Sequence, residues 1–103
     1  MPIYQTATYQ VKREAVEKVK RAIDEFVRYV QANEPGTRMY TAWQQQKDPT
    51  RFIHLFIFED EAAHERHGSS EAVKRFEAIY SPELVSRGVE FIDFNIVAEK
   101  RPA

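Results

Sequence analysis

Phe52-Ile53-His54-Leu55-Phe56-Ile57-Phe58, followed at once by Glu59-Asp60-Glu61, decides the fold. The run is short, β-branched and aromatic, and Pro49 and the three acids bound it, so it reads as a strand. Side chains along a strand alternate between faces. One face therefore carries Phe52, His54, Phe56 and Phe58, and the other Ile53, Leu55 and Ile57. Both faces are apolar, whereas a domain of 103 residues has only one layer of helices to lay on a sheet. The second face needs a different cover, and a second copy of the same sheet supplies it. Burying Ile53, Leu55 and Ile57 in that way is worth roughly 4–8 kcal/mol per chain as an upper figure, at about 1.5–3 for each side chain.

Outward from this strand the periodicities alternate. Ile3 to Lys12 reads as a first strand with Ile3, Gln5, Ala7, Tyr9 and Val11 on one face. From Arg13 the apolar residues Ala15, Val16, Val19, Ala22, Ile23, Phe26, Val27 and Val30 recur at three- and four-residue steps, which predicts an amphipathic helix of about five turns. Glu34-Pro35-Gly36 stops it. Thr37 to Gln46 is a second strand, with Met39, Thr41 and Trp43 alternating against Tyr40, Ala42 and Gln44. Lys47-Asp48-Pro49-Thr50 has turn chemistry and makes a hairpin of the second and third strands. Glu59 to His67 is a short helix broken by Gly68-Ser69-Ser70, and Ser70 caps another helix that ends at Ser81-Pro82. Val89 to Ala98 is the last strand, and Glu99 to Ala103 a frayed tail. The order predicts one α+β domain, ferredoxin-like βαββαβ with an antiparallel sheet. The first and third strands are expected in its centre, as a parallel pair, with the second and fourth at the edges.

Charge and composition restrict the function. Fifteen basic and sixteen acidic side chains leave a net charge of −1, with no basic excess to neutralise phosphates, so nucleic acid is not expected as a partner. The absence of cysteine excludes disulfides, thiolate metal sites and a cysteine nucleophile, and fits a cytoplasmic protein. The sequence has neither a signal-peptide core nor an apolar run long enough to span a bilayer, and a membrane is not expected. Aromatic residues make up 13% of the chain and fall mostly in the strands, which favours a ring-lined cavity.

The segments Asn33-Glu34-Pro35-Gly36-Thr37, Asp48-Pro49-Thr50-Arg51-Phe52 and Asp60-Glu61-Ala62-Ala63-His64-Glu65-Arg66-His67 resemble the antibiotic biosynthesis monooxygenase domain. Ser70-Glu71-Ala72-Val73-Lys74-Arg75-Phe76 and Val89-Glu90-Phe91 extend the resemblance to nearly the whole chain, and it is most specific from Glu34 to Phe76. It implies a ferredoxin-like monomer, dimerised through its sheets into an α+β barrel, with a pocket between sheet and helices. Some members of that family oxidise quinols or polycyclic phenols with molecular oxygen, without metal or flavin, so no cofactor is expected. Others degrade haem. Two departures stand out. Where the family often has a glutamate and a tryptophan near the end of the third strand, this chain has Phe56 and Phe58. Of the asparagine, tryptophan and histidine used by haem-degrading relatives only the histidine has a counterpart, His67, since Ile3–Lys12 contains no asparagine.

Oxidising an electron-rich ring without a cofactor requires a base that turns a quinol or phenol into its anion, donors for that anion, and a dry aromatic cavity. Histidine suits the first need because its unperturbed pKa lies near neutrality. His67 is the candidate catalytic base; the competing reading is a structural histidine bonded to a carbonyl at the helix end. His54 shares its face with three phenylalanines and must be paired there, either as a satisfied core residue or as part of a substrate site with Phe56, Phe58, Tyr40 and Trp43. Tyr40 and Trp43 have opposite parity, so at most one of them faces a given cavity. His64-Glu65-Arg66-His67 is one residue short of the zinc-protease spacing and no third ligand is apparent, so no metal is expected. Arg51 could pair an anionic substrate or simply be solvated. Two functions follow: a cofactor-independent monooxygenase acting on a quinol-like or phenolic small molecule, or a non-enzymatic dimeric module that binds an aromatic ligand or haem.

Overall fold

A computed structural model describes residues 1–85 and 88–100; Arg101-Pro102-Ala103 of the expected tail lie outside the described residues. The strands are β1 (Ile3–Gln10), β2 (Thr37–Gln44), β3 (Arg51–Phe58) and β4 (Glu90–Phe94). The helices are α1 (Val16–Asn33), α2 (Glu61–Gly68) and α3 (Glu71–Tyr80), with single turns of tighter helix at Arg13–Ala15 and Ser81–Glu83. The sheet runs β2-β3-β1-β4 and the helices cover one face, an α+β ferredoxin-like arrangement. Every neighbouring pair is antiparallel, including β1 with β3, which corrects the expectation of a parallel central pair. The reason is topological: the α1 crossover returns β2 parallel to β1, and the tight hairpin then reverses β3.

Capping and ladder length account for the element ends. Asp60 accepts a hydrogen bond from the Ala63 amide (2.9 Å), so α2 begins at Glu61 instead of Glu59. Ser70 accepts from the Val73 amide (3.1 Å) and starts α3, as its sequence position predicts. The last strand is half its expected length. Phe94 pairs with Tyr4, and past Ile3 a longer ladder would need partners at Pro2, which has no amide hydrogen, and at the exposed Met1. Beyond Gln10 the chain leaves the sheet, with the Val11 amide donating to Thr50 O and the Lys12 amide to Glu83 O.

Alternation along β3 is realised as read. Phe52, His54, Phe56 and Phe58 are buried under the helices, and Ile53, Leu55 and Ile57 lie half-buried on the other face. β2 adds a device that its own sequence does not announce. Thr37 pairs with Phe58, yet Met39, not Arg38, pairs with Ile57. The extra residue is a bulge that inverts the parity of the rest of the strand. Tyr40 thereby pairs with Phe56 on the helix side, and Trp43 pairs with Ile53 on the open side.

The helix-side core is in two parts. The larger joins Val19, Ile23, Phe26 and Val30 of α1 to Phe76 and Tyr80 of α3 and to Tyr9 and Phe52 of the sheet. The smaller gathers Ala7, Phe56 and Phe58 beneath Ala63 of α2. Close approach of α2 depends on Gly36, where an added Cβ would lie 2.7 Å from the Ala63 Cβ. Gly36→Ala should therefore push α2 outward and cost about 1–3 kcal/mol, read as a lowered urea midpoint, whereas Gly68→Ala, which meets nothing within 4 Å, should not.

Candidate functional site

A cavity of about 430 Å³ opens between the two parts of the core, with the helix side of the sheet as its floor and α2 and α3 along its walls. His54, at the centre of β3, is 1% exposed. Its cross-strand partners are both alanines, Ala7 on β1 and Ala42 on β2. Those small side chains leave room for the diagonal neighbours, which long aromatic residues can reach. Tyr9, two residues beyond Ala7, brings its hydroxyl to 2.7 Å from His54 Nε2. Tyr40, two residues before Ala42, brings its own to 2.7 Å from Nδ1. The histidine is thus bonded through both ring nitrogens.

No acidic side chain opposes this burial, and desolvation lowers the His54 pKa to about 4. Burial raises the Tyr9 and Tyr40 hydroxyls well above the usual phenol range, each reinforced by neighbouring phenols and Tyr40 also by Glu34. Tyr80, stacked on Tyr9 at 5.5 Å, is pushed up to about 12, first by burial and then by Glu77. Near neutral pH the floor is therefore an uncharged Tyr9–His54–Tyr40 chain.

The charged part of the site is at the other end. His67, in the last turn of α2, bonds through Nδ1 to Glu34 Oε1 at 2.7 Å. Both side chains are largely buried, at 12% and 10% exposure. Glu34 is the residue at which α1 stops, and Thr37 Oγ1 donates to the same oxygen at 2.8 Å. Glu34 Oε2 is buried and has no partner among the described residues. Four rings surround the imidazole of His67: Phe58 at 5.1 Å, Phe26 at 5.6 Å, Tyr40 at 5.7 Å and Phe56 at 6.2 Å. With Nδ1 committed to a carboxylate, Nε2 is the ring nitrogen left for a guest, the arrangement that suits a general base.

The candidates read from the sequence are thus partly brought together. His67, His54, Tyr40 and Phe56 line the cavity, and Phe58 supports the rings of His67 and His64 from below. Trp43 is on the opposite face of the sheet, 59% exposed, and takes no part in this cavity. His64 is at the rim, its ring 5.0 Å from Phe58 and its Nδ1 3.6 Å from Glu61. Arg51 is tied into the hairpin turn by Asp48 at 3.0 Å. Glu34 and Tyr9 are the residues that the sequence reading passed over. Glu34 reads as a helix terminator and Tyr9 as one residue of an apolar strand face, and only tertiary structure joins them to histidines 33 and 45 positions away.

The antibiotic biosynthesis monooxygenase family profile matches residues 2–79, and the chain belongs to that family. Solved structures agree in fold. A protein from Bacteroides thetaiotaomicron VPI-5482 superposes with a TM-score of 0.89 at 19% identity, over 99% of this chain and 95% of its own. An antibiotic biosynthesis monooxygenase superposes at 0.84 with 23% identity, covering 93% and 99%. A Pseudomonas aeruginosa protein gives 0.83 at 25% identity, covering 94% and 95%. No curated protein matches the sequence significantly. Among the described residues, no helix is long and apolar enough to cross a membrane.

The state of His54 has a consequence for stability. Its folded pKa lies below the ordinary 6.5, so between pH 6.5 and about 4 the unfolded chain binds a proton that the folded chain refuses. That contribution is complete above pH 6.5 and is lost as the pH falls toward 4, on the order of 3 kcal/mol in all. His54→Gln, which does not titrate, should show a correspondingly shallower loss of urea stability from pH 7 to 4 than the wild type. Parallel pH profiles would mean that His54 is not held neutral.

Proposed function

We propose that this member of the family is a cofactor-independent monooxygenase acting on a quinol-like or phenolic small molecule, with His67 as the base. The observation that supports it most is the 2.7 Å bond from His67 Nδ1 to the buried Glu34 carboxylate inside an aromatic cavity. His67 Nε2 takes the proton of a substrate hydroxyl, and the resulting imidazolium is stabilised by Glu34. The substrate anion supplies one electron to dioxygen. Recombination of the two radicals with a proton gives a ring hydroperoxide, which loses water. For a quinol the sum is quinol plus dioxygen to hydroxyquinone plus water, with no external reductant. Phe26, Phe56 and Tyr40 hold the ring and keep bulk water from the radicals, with Phe58 packed beneath His67.

The open face of the sheet belongs to the same reading. Trp43 is exposed there beside the half-buried Ile53, Leu55 and Ile57, and Ile92 and Phe94 are exposed across Thr6 and Tyr4 of β1, a largely apolar surface that a second copy of the chain would cover. In this reading the working unit is a homodimer joined through its sheets, with a cavity on the outer, helix-bearing side of each. A module that binds an aromatic ligand without turnover is the competing reading, favoured by phenylalanines at 56 and 58.

Oxygen-electrode assays over a panel of quinols distinguish the two. Oxygen uptake should depend on substrate and fall about 10²–10⁴-fold in His67→Ala. Glu34→Gln should lower kcat more than it changes KM. Tight binding with no uptake from any quinol would favour the binding module. In sedimentation, wild type should run as a dimer at micromolar concentration and Leu55→Arg as a monomer; a wild-type monomer would remove the paired-sheet architecture.

A further inference from the structure

A count of protons along the floor of the cavity shows a property that no single residue has. Tyr9, a neutral His54 and Tyr40 own three polar hydrogens between them, one hydroxyl each and one on the ring. The chain makes two internal hydrogen bonds, Tyr9 Oη to Nε2 and Tyr40 Oη to Nδ1, each 2.7 Å long. Two hydrogens fill them and one remains. A neutral imidazole donates through one nitrogen and accepts through the other, so the spare hydrogen must lie on one of the two phenols, and the tautomer of His54 decides which.

The surroundings decide the tautomer. The Tyr9 ring is stacked between Phe52 at 5.6 Å and Tyr80 at 5.5 Å, and its only hydrogen-bond partner among the described residues is His54. Tyr40 lies between the two histidine rings, 5.6 Å from that of His54 and 5.7 Å from that of His67. Both phenols border the cavity, but of the two only Tyr40 has its ring against His67, so a hydrogen released by Tyr40 is on the side of the base.

We propose that the Tyr9 hydroxyl donates to His54 Nε2, that His54 Nδ1–H donates to Tyr40, and that Tyr40 therefore offers its own hydrogen to an oxygen acceptor of the bound ligand. The ligand class is an aromatic ring bearing a carbonyl or phenolate oxygen, placed so that Tyr40 Oη–H meets that oxygen. Tyr40 is the contacting residue, while His54 and Tyr9 are positioning residues that act through it. The inference rests on the reading of this cavity as the ligand site. It adds that recognition there comes from a donor whose direction is fixed two residues away, with no charge on the floor.

Nitrogen NMR of histidine-labelled protein, together with a matched pair of inert probes, tests it. 1-Tetralone carries one aryl ketone oxygen, and tetralin fills a similar volume without an acceptor. In the free wild-type protein His54 should show a protonated Nδ1 and a bare Nε2, the tautomer less common for imidazole in water. 1-Tetralone should bind about three- to tenfold more tightly than tetralin, the usual worth of one net hydrogen bond. Tyr40→Phe should erase that preference while leaving tetralin affinity unchanged. Tyr9→Phe removes the donor to Nε2 but keeps the ring that borders the cavity, so the imidazole should revert toward the Nε2–H tautomer, turn the Tyr40 hydrogen inward, and weaken the preference. Melting curves of both variants establish that they fold. A His54 protonated at Nε2 in the wild type, or a tetralone preference unchanged in Tyr40→Phe, overturns the proposal while leaving the cavity a binding site. Failure of both probes to perturb the His67 and His54 resonances overturns the cavity reading and this proposal with it.

Discussion

The alternation of side chains along β3 is the constraint from which the rest of the molecule follows. It commits four residues to the helix side, and one of them, His54, is polar. A polar ring at 1% exposure is tolerated only if its nitrogens are satisfied. Alanines at the two flanking positions and tyrosines on the diagonals meet that demand. The same alternation fills the other side of the strand with branched aliphatic residues. One seven-residue run thereby specifies a cavity floor and an apolar outer face together.

Much of this was open to inspection in the sequence, because period and punctuation are local properties. The five-turn helix, the Ser70 cap, the turn around Asp48 and the two faces of the third strand all depend on residues within a few positions of one another. The relative direction of β1 and β3 depends on the whole path between them, and there the expected parallel pair gave way to an antiparallel one. The length of β4 depended on where its neighbour begins. Its hydrophobic pattern runs on to Ala98, but the ladder stops at Phe94, within one residue of the start of β1.

The candidate site was half legible for a similar reason. His67 and His54 announce themselves, since histidines are few and one of them interrupts an apolar face. Glu34 does not, because glutamate before Pro-Gly is ordinary at a helix end, and nothing nearby marks it as a partner for a residue on another helix. The fate of Tyr40 and Trp43 was undetermined in a different way. Their opposite parity is visible in the sequence, but the face each takes is set by the bulge between Thr37 and Met39, a choice made by pairing geometry.

The junction of Glu34 with His67 has a further implication for assembly. The carboxylate closes the first helix and the imidazole closes the second, so the contact spans 33 residues and requires the intervening hairpin to be in register. Gly36, two residues past Glu34, is also where Ala63 of the second helix packs against the backbone too closely for a side chain. Detaching that helix would separate the acid–imidazole couple and unroof the phenylalanines in a single motion. The site is therefore made or lost as a unit, and a chain folded only through its first helix and hairpin has neither the imidazole nor its cover.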